Sequence, residues 1–374
     1  MVTYPNDWTE SKLLDHVNLV QGLTYSPESV RTHGTLVLRS SNIQQGHLAL
    51  EDNVYVNSSV PREKMILPGD ILVCVRNGSP DLIGKSCVLP AMGNTTFGAF
   101  MSVLRGDSTG YIAKIFESNI VQEQFKNRSN TTINQITKED FKSVALTMPD
   151  VPEQKVIAGV LSSFDSYIAN LGELIEKKKA VRDGVLEDLI SGRTRLCGFS
   201  DKWKRVRIGQ ILKILHGKNQ REVESPNGHF PIMGTGGIIG KATKFLCDWE
   251  CVLIGRKGTI DQPYYMNTPF WTIDTLYYSR PAGNQCVKFQ YYLFCSINWF
   301  DFTESSGRPS LTRKAIEAIE IKIPKYEEQK AIADVLTAMD DEIKSLTDER
   351  DKMIQIREGA MDDLLTGRVR LAVE

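Results

Sequence analysis

Two long segments of the chain carry apolar residues at alternating spacings of four and three. This spacing predicts α-helices with an apolar seam along one side, the pattern typical of a coiled coil. The seam positions are Ile157, Leu161, Phe164, Ile168 and Leu171 in the first segment, and Ile332, Leu336, Met339, Ile343 and Leu346 in the second.

An apolar seam needs a partner, and the pattern leaves two partners open. Each helix could pack on a globular domain beside it, or the two helices could pair with each other. We favour an antiparallel pair, because each helix stands at the end of its own half of the chain. Late in each helix the seam becomes polar, and polar seam residues fix the register and orientation of paired helices. These residues are Lys178 and Arg182 in the first helix, and Arg350 and Arg357 in the second.

The two helices are copies of one element. The run PEQKVIAGVL from Pro152 returns 175 residues later as EEQKAIADVL, and SGRTRL from Ser191 returns at the same offset as TGRVRL. About 20 of 48 positions are identical without a gap, so the chain contains an internal repeat. Proline is expected where each helix starts and glycine where it ends. These residues are Pro152 and Pro324, and Gly192 and Gly367.

The block before each helix reads as short strands broken by glycine, asparagine and proline. The blocks are faintly alike, since Arg76-Asn77-Gly78-Ser79 aligns with Arg256-Lys257-Gly258-Thr259 after an apolar strand, and the first block is about 20 residues longer. We therefore predict an α+β fold, in which two mostly-β domains alternate with two long helices that pair as an antiparallel coiled coil, with a pseudo-twofold internal repeat. The predicted domains span 1–150 and 197–324, and the helical regions span 151–196 and 325–374.

Composition adds limits on location and partners. The chain has 374 residues, a net charge of −1 at pH 7 and seven cysteines. The near-neutral charge argues against a generally basic nucleic-acid coat, although 197–324 are basic and 325–374 are acidic. No apolar run is long enough to span a membrane, and the first residues lack a signal-peptide pattern. Scattered cysteines suggest reduced thiols, so we expect a cytoplasmic protein.

Several motifs together resemble one protein family. The second half carries FPIMGTGGIIGKA from Phe230, FWTIDTLYY from Phe270 and GRPSLTRKAIEAIEIKIP from Gly307, ahead of the second helix. The first half carries LVLRSSNIQQGHL from Leu36 and MILPGDILVCVRNG from Met65. With the repeated helix, these motifs resemble the DNA-specificity subunit of type I restriction-modification systems along essentially the whole chain.

The resemblance implies that 1–150 and 197–324 are target recognition domains, which enter the major groove at the two halves of a bipartite, non-palindromic DNA site. It implies that the helices set the unread spacer and bind two methyltransferase subunits, which support the restriction subunits. The partners would be double-stranded DNA and those subunits, with no membrane. The chain would then have no catalysis and no cofactor of its own, and S-adenosylmethionine and ATP are expected on the partner subunits.

Two other functions stay open from the residues alone, a stand-alone DNA-modifying enzyme and a protein-only helical scaffold. A methyltransferase needs an Asn/Asp-Pro-Pro-aromatic run for the flipped base, and none occurs. The runs GSPDLIGKS and GTGGIIGKA miss the spacing of a phosphate-binding loop. Cys247 and Cys251 are spaced like half a zinc site but lack a second pair, so we expect no metal. The missing motifs argue against a stand-alone enzyme. A DNA footprint with two protected patches would exclude a protein-only scaffold.

Candidate DNA contacts follow from the chemistry of base and phosphate recognition. Arginine and lysine suit guanine, asparagine and glutamine suit adenine, and hydroxyl groups and backbone amides suit phosphates. For each residue the alternative is a solvated surface side chain. The candidates are Arg39, Ser40, Asn42, Arg76, Asn77 and Lys85 in the first block, and Thr235, Gly236, Arg256, Lys257, Thr259 and Arg308 in the second.

Overall fold

The chain folds into two compact units. The structure, a computed structural model, describes residues 4–57, 59–107, 109–126, 135–303 and 309–372. Unit 1 comprises the described residues up to Asn170 together with those from Arg350 onward, and unit 2 comprises Leu171–Glu349. Each unit therefore contains one β-rich block, the first part of one long helix and the last part of the other.

The helices fall into two long ones and a set of short connectors. In chain order they are α1 (Thr109–Glu117), α2 (Asn119–Lys126), α3 (Lys138–Ser143), α4 (Val151–Ser191), α5 (Ile208–Ile211), α6 (Val287–Ser296), α7 (Arg313–Ala318) and α8 (Tyr326–Leu365). Both heptad segments form the predicted helices, with 41 residues in α4 and 40 in α8. None of the described helices is long and apolar enough to cross a membrane.

The predicted boundary residues lie at the helix ends, with one adjustment. Pro152 is the second residue of α4 rather than a residue before it, and the first turn tolerates proline because its N–H has no partner in the helix. Gly192 and Gly367 follow the ends of α4 and α8 with φ near 72°. Glycine adopts this left-handed conformation without strain, so it ends both helices.

Two four-stranded sheets form most of the described β structure of unit 1. Its strands are β1 (Thr9–Lys12), β2 (Asn18–Gln21), β3 (Val30–Arg31), β4 (Thr35–Leu38), β5 (Ile43–Gln44), β6 (His47–Leu48), β7 (Val54–Val56), β8 (Ile71–Cys74), β9 (Ser86–Val88), β10 (Thr95–Phe97), β11 (Met101–Arg105) and β12 (Ala145–Met148). One sheet has the order β2–β11–β8–β9, and the other has the order β10–β4–β7–β3. β10 runs parallel to β4, whereas β1 pairs antiparallel with β12.

Unit 2 repeats this plan with fewer strands. Its strands are β13 (Lys204–Arg207), β14 (Leu212–His216), β15 (Phe230–Gly234), β16 (Gly237–Ala242), β17 (Cys251–Gly255), β18 (Tyr264–Met266), β19 (Trp271–Thr272), β20 (Leu276–Pro281) and β21 (Glu320–Ile323). The sheet β14–β20–β17–β18 corresponds to β2–β11–β8–β9, and β19 runs parallel to β15 as β10 does to β4. The pair β13–β21 corresponds to β1–β12.

The extra length of the first block lies mainly in one stretch. Strand pairing and backbone hydrogen bonds make Leu38 equivalent to Met233 and Cys74 equivalent to Gly255. Between these points unit 1 advances 36 residues and unit 2 advances 22. The additional residues include the β5–β6 hairpin, which lies between β4 and β7, whereas β7 pairs antiparallel with β4 as β16 does with β15.

The first seam residues of each long helix lie in the core of a unit. In unit 1, Ile157 and Leu161 are fully buried with Met361, Leu364 and Leu365 of α8 and with apolar residues of the β-rich block. Unit 2 repeats this packing with the roles of the helices exchanged. Ile332 and Leu336 of α8 pack with Leu186, Leu189 and Ile190 of α4. Each helix start thus packs both on a globular block and on the end of the other helix.

The remaining seam residues are less enclosed. Leu171 is buried, whereas Phe164, Ile168, Met339, Ile343 and Leu346 are half-buried. In each unit, residues later in α4 contact residues earlier in α8. The two helices therefore run in opposite directions, and the predicted antiparallel pairing is confirmed. In unit 1, Ile157 and Leu161 pack in one cluster with Met361, Leu364 and Leu365, and Asp165 further along α4 pairs with Arg357. In unit 2, Lys178 pairs with Glu342 and Arg182 with Asp340.

Asp165 anchors a small charged cluster in unit 1. Its carboxylate accepts hydrogen bonds from Lys114 Nζ at 2.6 Å and from Arg357 Nε at 2.5 Å. Burial raises the pKa of this carboxyl, but the two cationic donors outweigh burial and hold the pKa below its usual range. The late polar position Arg357 is therefore an ion-pair position of the seam.

The repeated EQK runs meet the arginines of the SGRTRL and TGRVRL runs in an ion pair that we name the Arg–Glu clamp. It is formed by Arg195 with Glu328 in unit 2 and by Arg370 with Glu153 in unit 1. In unit 2, Arg195 donates to both carboxylate oxygens of Glu328, at 2.6 and 2.8 Å. The Glu328 side chain is only 2% exposed, and Trp203 Nε1 donates to it at 3.3 Å. The guanidinium of Arg195 also lies over the Trp203 ring, 5.6 Å from its centroid.

The clamp in unit 1 has the same form. Arg370 donates to both oxygens of Glu153 at 2.6 and 2.7 Å and lies 5.8 Å from the centroid of the Trp8 ring. The neighbouring glutamines, Gln154 and Gln329, each donate to the carbonyl five residues earlier. The glutamate of each EQK run therefore closes a unit by binding the arginine that follows the other helix, and the glutamine shapes the entry to its own helix.

Candidate nucleic-acid interface

The candidate residues of unit 1 lie on two loops that hydrogen-bond to each other. One loop follows β4 and the other follows β8. Asn77 Nδ2 donates to Ser40 Oγ at 2.9 Å, and Lys85 Nζ donates to the carbonyl of Ile43 at 2.9 Å. The sequence candidates of this unit are thus brought together at one place.

Two candidates of the first loop are engaged within the protein. Asn42 is fully buried, and its side chain accepts from Arg39 N at 2.9 Å and donates to the Ala49 carbonyl at 2.8 Å. Arg39 forms an ion pair with Asp52 at 2.7 Å, although its side chain stays 37% exposed. Asn42 therefore shapes the loop that presents Arg39 and Ser40.

Arg76 is the exposed cation of the second loop. Its guanidinium lies 5.3 Å from the centroid of the Phe100 ring, and no carboxylate among the described residues pairs with it. The backbone N–H groups of Val75 and Arg76 both donate to the carbonyl of Phe100, at 3.0 and 3.2 Å. Sequence reasoning overlooked Phe100, and the only signal for it was a large aromatic residue in a small-residue run.

In unit 2 the first loop is the tight turn between β15 and β16. Thr235 and Gly236 form its tip, and the carbonyl of Thr235 accepts from Tyr264 Oη at 3.1 Å. Thr235 corresponds to Ser40, because Met233 corresponds to Leu38. The start of β16, just after the turn, exposes a large apolar side chain, since Ile238 is 69% exposed.

The second loop of unit 2 carries Arg256, Lys257 and Thr259. The N–H groups of Arg256 and Lys257 donate to the carbonyl of Thr275 at 2.8 and 3.4 Å, and Arg256 Nη1 donates to the carbonyl of Asp274 at 3.3 Å. Lys257 is exposed, and Thr259 is half-buried. Arg308 lies outside the described residues.

The backbone corrects the alignment of Arg76 with Arg256. In unit 1, Val75 and Arg76 donate to one carbonyl, and Arg76 bridges to Gln135. In unit 2, Arg256 and Lys257 donate to the matching carbonyl, and Lys257 bridges to Ser310. Arg76 therefore occupies the place of Lys257, one residue beyond the sequence alignment. Both are exposed, and neither forms an ion pair within the part of the chain that the structure describes.

The cysteine pair suggested by the sequence lies in the core of unit 2. Cys247 and Cys251 are both fully buried, with their Sγ atoms 3.9 Å apart. Among the residues that the structure describes, no three His, Cys, Asp or Glu side chains are grouped to hold a metal ion. The two thiols pack against apolar neighbours such as Phe270 and Tyr278.

Comparison with known proteins places the chain in a family. The type I restriction modification DNA specificity domain matches residues 5–179 and again 200–355. The specificity subunit of the type I restriction enzyme EcoKI from Escherichia coli K12 is 27% identical over 258 residues, which cover 63% of this chain and 54% of that protein. The StySPI specificity subunit from Salmonella potsdam is 29% identical over 201 residues, covering 50% and 43%. The chain thus spans about half the length of these two relatives.

A solved structure shares the fold over nearly the whole chain. The S subunit of a type I restriction-modification system from M. genitalium has a TM-score of 0.66 and 20% identity, with 97% of both chains covered. Its likeness supports the repeated α+β architecture described above. Because the family domain matches both halves and accounts for most of the residues, the resemblance seen in the sequence is confirmed, and the chain belongs to the type I restriction-modification DNA specificity family.

Proposed function

We propose that this chain is the non-catalytic specificity subunit of a type I restriction-modification complex, and that each unit reads one half of a bipartite, non-palindromic DNA site. The observation that carries this proposal is the pair of equivalent exposed cations, Arg76 in unit 1 and Lys257 in unit 2. Each lies on a loop held by the same backbone hydrogen bonds, next to a second loop with a hydroxyl residue at the matching place. The backbone hydrogen bonds of the loops are the same in both units, whereas the exposed side chains differ. This is expected of two domains that recognise different base sequences.

The side chains on these loops suit distinct tasks at DNA. An arginine such as Arg76 matches the two acceptors on the major-groove edge of guanine, and a lysine such as Lys257 donates to the same edge with less geometric constraint. Ser40 and Thr235 suit phosphate oxygens, which position the protein without reading sequence. We assign Arg39, Asn77, Lys85, Gly236, Arg256 and Thr259 to the same two surfaces, and Asn42 to holding the first loop.

Methylome sequencing of a host with and without this gene is the direct test of target recognition. Two short specified sequences separated by an unread gap are expected to lose methylation when the gene is absent. An unchanged methylome in a host whose partner subunits are active would contradict the proposal.

Arg76→Ala and Lys257→Ala are expected to relax base preference in opposite halves of the target. Loss of a base-reading contact costs about 1–3 kcal/mol of binding free energy at the base pair concerned and leaves the other half unaffected. Competition binding of the subunit with its methyltransferase partners, against targets altered one base pair at a time, measures this.

Arg256→Ala is the matched comparison, because Arg256 lies one residue earlier and its guanidinium is hydrogen-bonded to the Asp274 carbonyl. A smaller loss for Arg256→Ala than for Lys257→Ala supports the backbone alignment. Equal weakening at every target sequence would instead assign the exposed cations to phosphates.

We further propose that the long helices recruit two methyltransferase subunits, which carry S-adenosylmethionine and support the ATP-dependent restriction subunits. The support is a pair of exposed apolar side chains at matching repeat positions. Val181 of α4 is 57% exposed, and Ile356 of α8, 175 residues later, is 42% exposed. Exposed apolar residues at a repeated position suit one partner surface used twice. In this scheme the same helices set the spacing between the half-sites.

Val181→Glu and Ile356→Glu are each expected to weaken binding of one methyltransferase subunit by about tenfold, because a charge replaces an apolar contact. Stoichiometry by native mass spectrometry, with affinity by titration, measures the loss. Ala180→Glu and Gln355→Glu add the same charge at neighbouring positions and should leave binding unchanged. Equal losses for all four variants would mean that charge alone, and not this surface, weakens the complex.

A further inference from the structure

Phe100 has an unusual combination of exposure and fixed geometry. Its ring is 58% exposed and lies beneath the guanidinium of Arg76 at the candidate interface of unit 1. Single exposed apolar residues are common on protein surfaces and need no explanation alone. Here, however, the ring and the exposed cation form one paired surface beside the Ser40–Asn77 contact.

The backbone around Phe100 holds the ring in place. Its carbonyl accepts from both Val75 N and Arg76 N, so the chain at Phe100 and the Arg76 loop are tied together. Two residues earlier, Gly98 packs so closely on Gly22 that a Cβ on Gly22 would lie 2.0 Å from the Gly98 carbonyl oxygen. The chain leading to Phe100 therefore packs backbone against backbone on the residue that follows β2.

The chemistry of this paired surface matches two neighbouring bases. The 5-methyl group of thymine is the apolar feature of the major groove, and phenylalanine is among the side chains that contact it. The ring also lies against the guanidinium, and a side chain that already has a contact loses less freedom when it binds guanine. The guanidinium and the ring centroid are 5.3 Å apart, less than twice the 3.4 Å step between base pairs.

We propose that Phe100 reads the 5-methyl group of a thymine in the half-site of unit 1, within two base pairs of a guanine bound by Arg76. This inference rests on the proposed function. It adds one recognised base, a thymine, and the residue that contacts it. Unit 2 gives a built-in contrast, because the matching carbonyl there belongs to Thr275, whose side chain has no ring. The aromatic ring beside the exposed cation is thus found in unit 1 and not at the matching place of unit 2.

The test uses a set of target duplexes, in each of which a single thymidine is replaced with 2′-deoxyuridine. This replacement removes the 5-methyl group alone. The subunit is used in its complex with the methyltransferase subunits, and affinity is measured for each duplex. Loss of the methyl at one position is expected to weaken binding about fourfold, the worth of one buried methyl group. Arg76→Ala should lose guanine preference within two base pairs of that position.

Phe100→Ser, which removes the ring and leaves a side chain without a methyl group, is expected to abolish the thymine–uracil difference at that one position and nowhere else. Phe100→Leu keeps an apolar contact, so it should retain part of that difference while guanine preference weakens. Ile238→Ala removes an exposed apolar side chain from unit 2 and should leave the difference unchanged.

Two results would overturn the reading of thymine by Phe100. One is a thymine–uracil profile of Phe100→Ser identical to that of the wild type, whether or not overall affinity falls. The other is a pair of half-sites in which no thymine lies within two base pairs of the guanine read by Arg76. A wild-type complex with no sequence preference would contradict the proposed function itself, so the two failures are distinct.

Discussion

Gly217→Ala is expected to lower the free energy of unfolding of unit 2 by about 3 kcal/mol, the upper range for overpacking a tight site. A Cβ at Gly217 would lie 1.9 Å from the carbonyl oxygen of Ile273 and 2.8 Å from that of Thr272. Both contacts are to backbone, so no side chain can rotate away to relieve them. The displaced segment also carries Thr275, whose carbonyl holds the Lys257 loop.

Gly236→Ala is the matched control, because a Cβ there meets nothing within 4 Å. Denaturant unfolding followed by amide hydrogen exchange should place the loss in β14 and β20 for Gly217→Ala and show little change for Gly236→Ala. Gly22→Ala is the counterpart in unit 1, where the Cβ would lie 2.0 Å from the Gly98 oxygen. Equal stability of Gly217→Ala and the wild type would show that the two backbones can separate freely here.

Arg195→Ala is expected to lower the midpoint of thermal unfolding by about 5–10 °C. The substitution leaves the Glu328 carboxylate, which is 2% exposed, without its cation. Among the described residues, the Trp203 indole is then its remaining side-chain donor. A buried charge that loses its partner costs more than the pair contributed, because the charge stays desolvated. Differential scanning calorimetry of the full chain gives the measurement.

Two further variants separate the buried charge from general effects. Arg193→Ala removes a nearby exposed arginine, whose ion-pair partners among the described residues are Glu187 and Asp188, and should change the midpoint by about 1 °C or less. Adding Glu328→Gln to Arg195→Ala removes the unpaired charge, so part of the lost stability should return. If the double variant were no more stable than Arg195→Ala, the buried charge would not be the cause.

Periodic features were visible in the sequence because they repeat. The heptad spacing predicted α4 and α8, and the 175-residue offset predicted that they are copies, since helix seams and duplicated segments leave marks that need no tertiary information. The same marks did not reveal the Arg–Glu clamp. Each clamp joins residues far apart in the chain, such as Arg195 and Glu328, and takes one residue from each copy.

The loops were harder to predict because backbone hydrogen bonds, rather than residue types, set their register. Arg76 and Arg256 look equivalent by sequence, yet the carbonyls of Phe100 and Thr275 place Arg76 opposite Lys257. Residue type also misled at Asn42, whose amide serves the loop backbone instead of facing outward. Phe100 stood out only as a large aromatic residue in a run of small ones, because its pairing with Arg76 joins residues that are distant in the chain.

The division of α8 between the units has a consequence for synthesis on the ribosome. Domains usually fold as they emerge, with the N-terminal one first. Unit 1 starts first but needs Met361, Leu364 and Leu365 to complete its core, and Arg370 to neutralise Glu153. Every residue of unit 2 has been made by Glu349. The unit that begins first is therefore the one that can finish last, and its β-rich block waits with an incomplete core until the later part of α8 has been made.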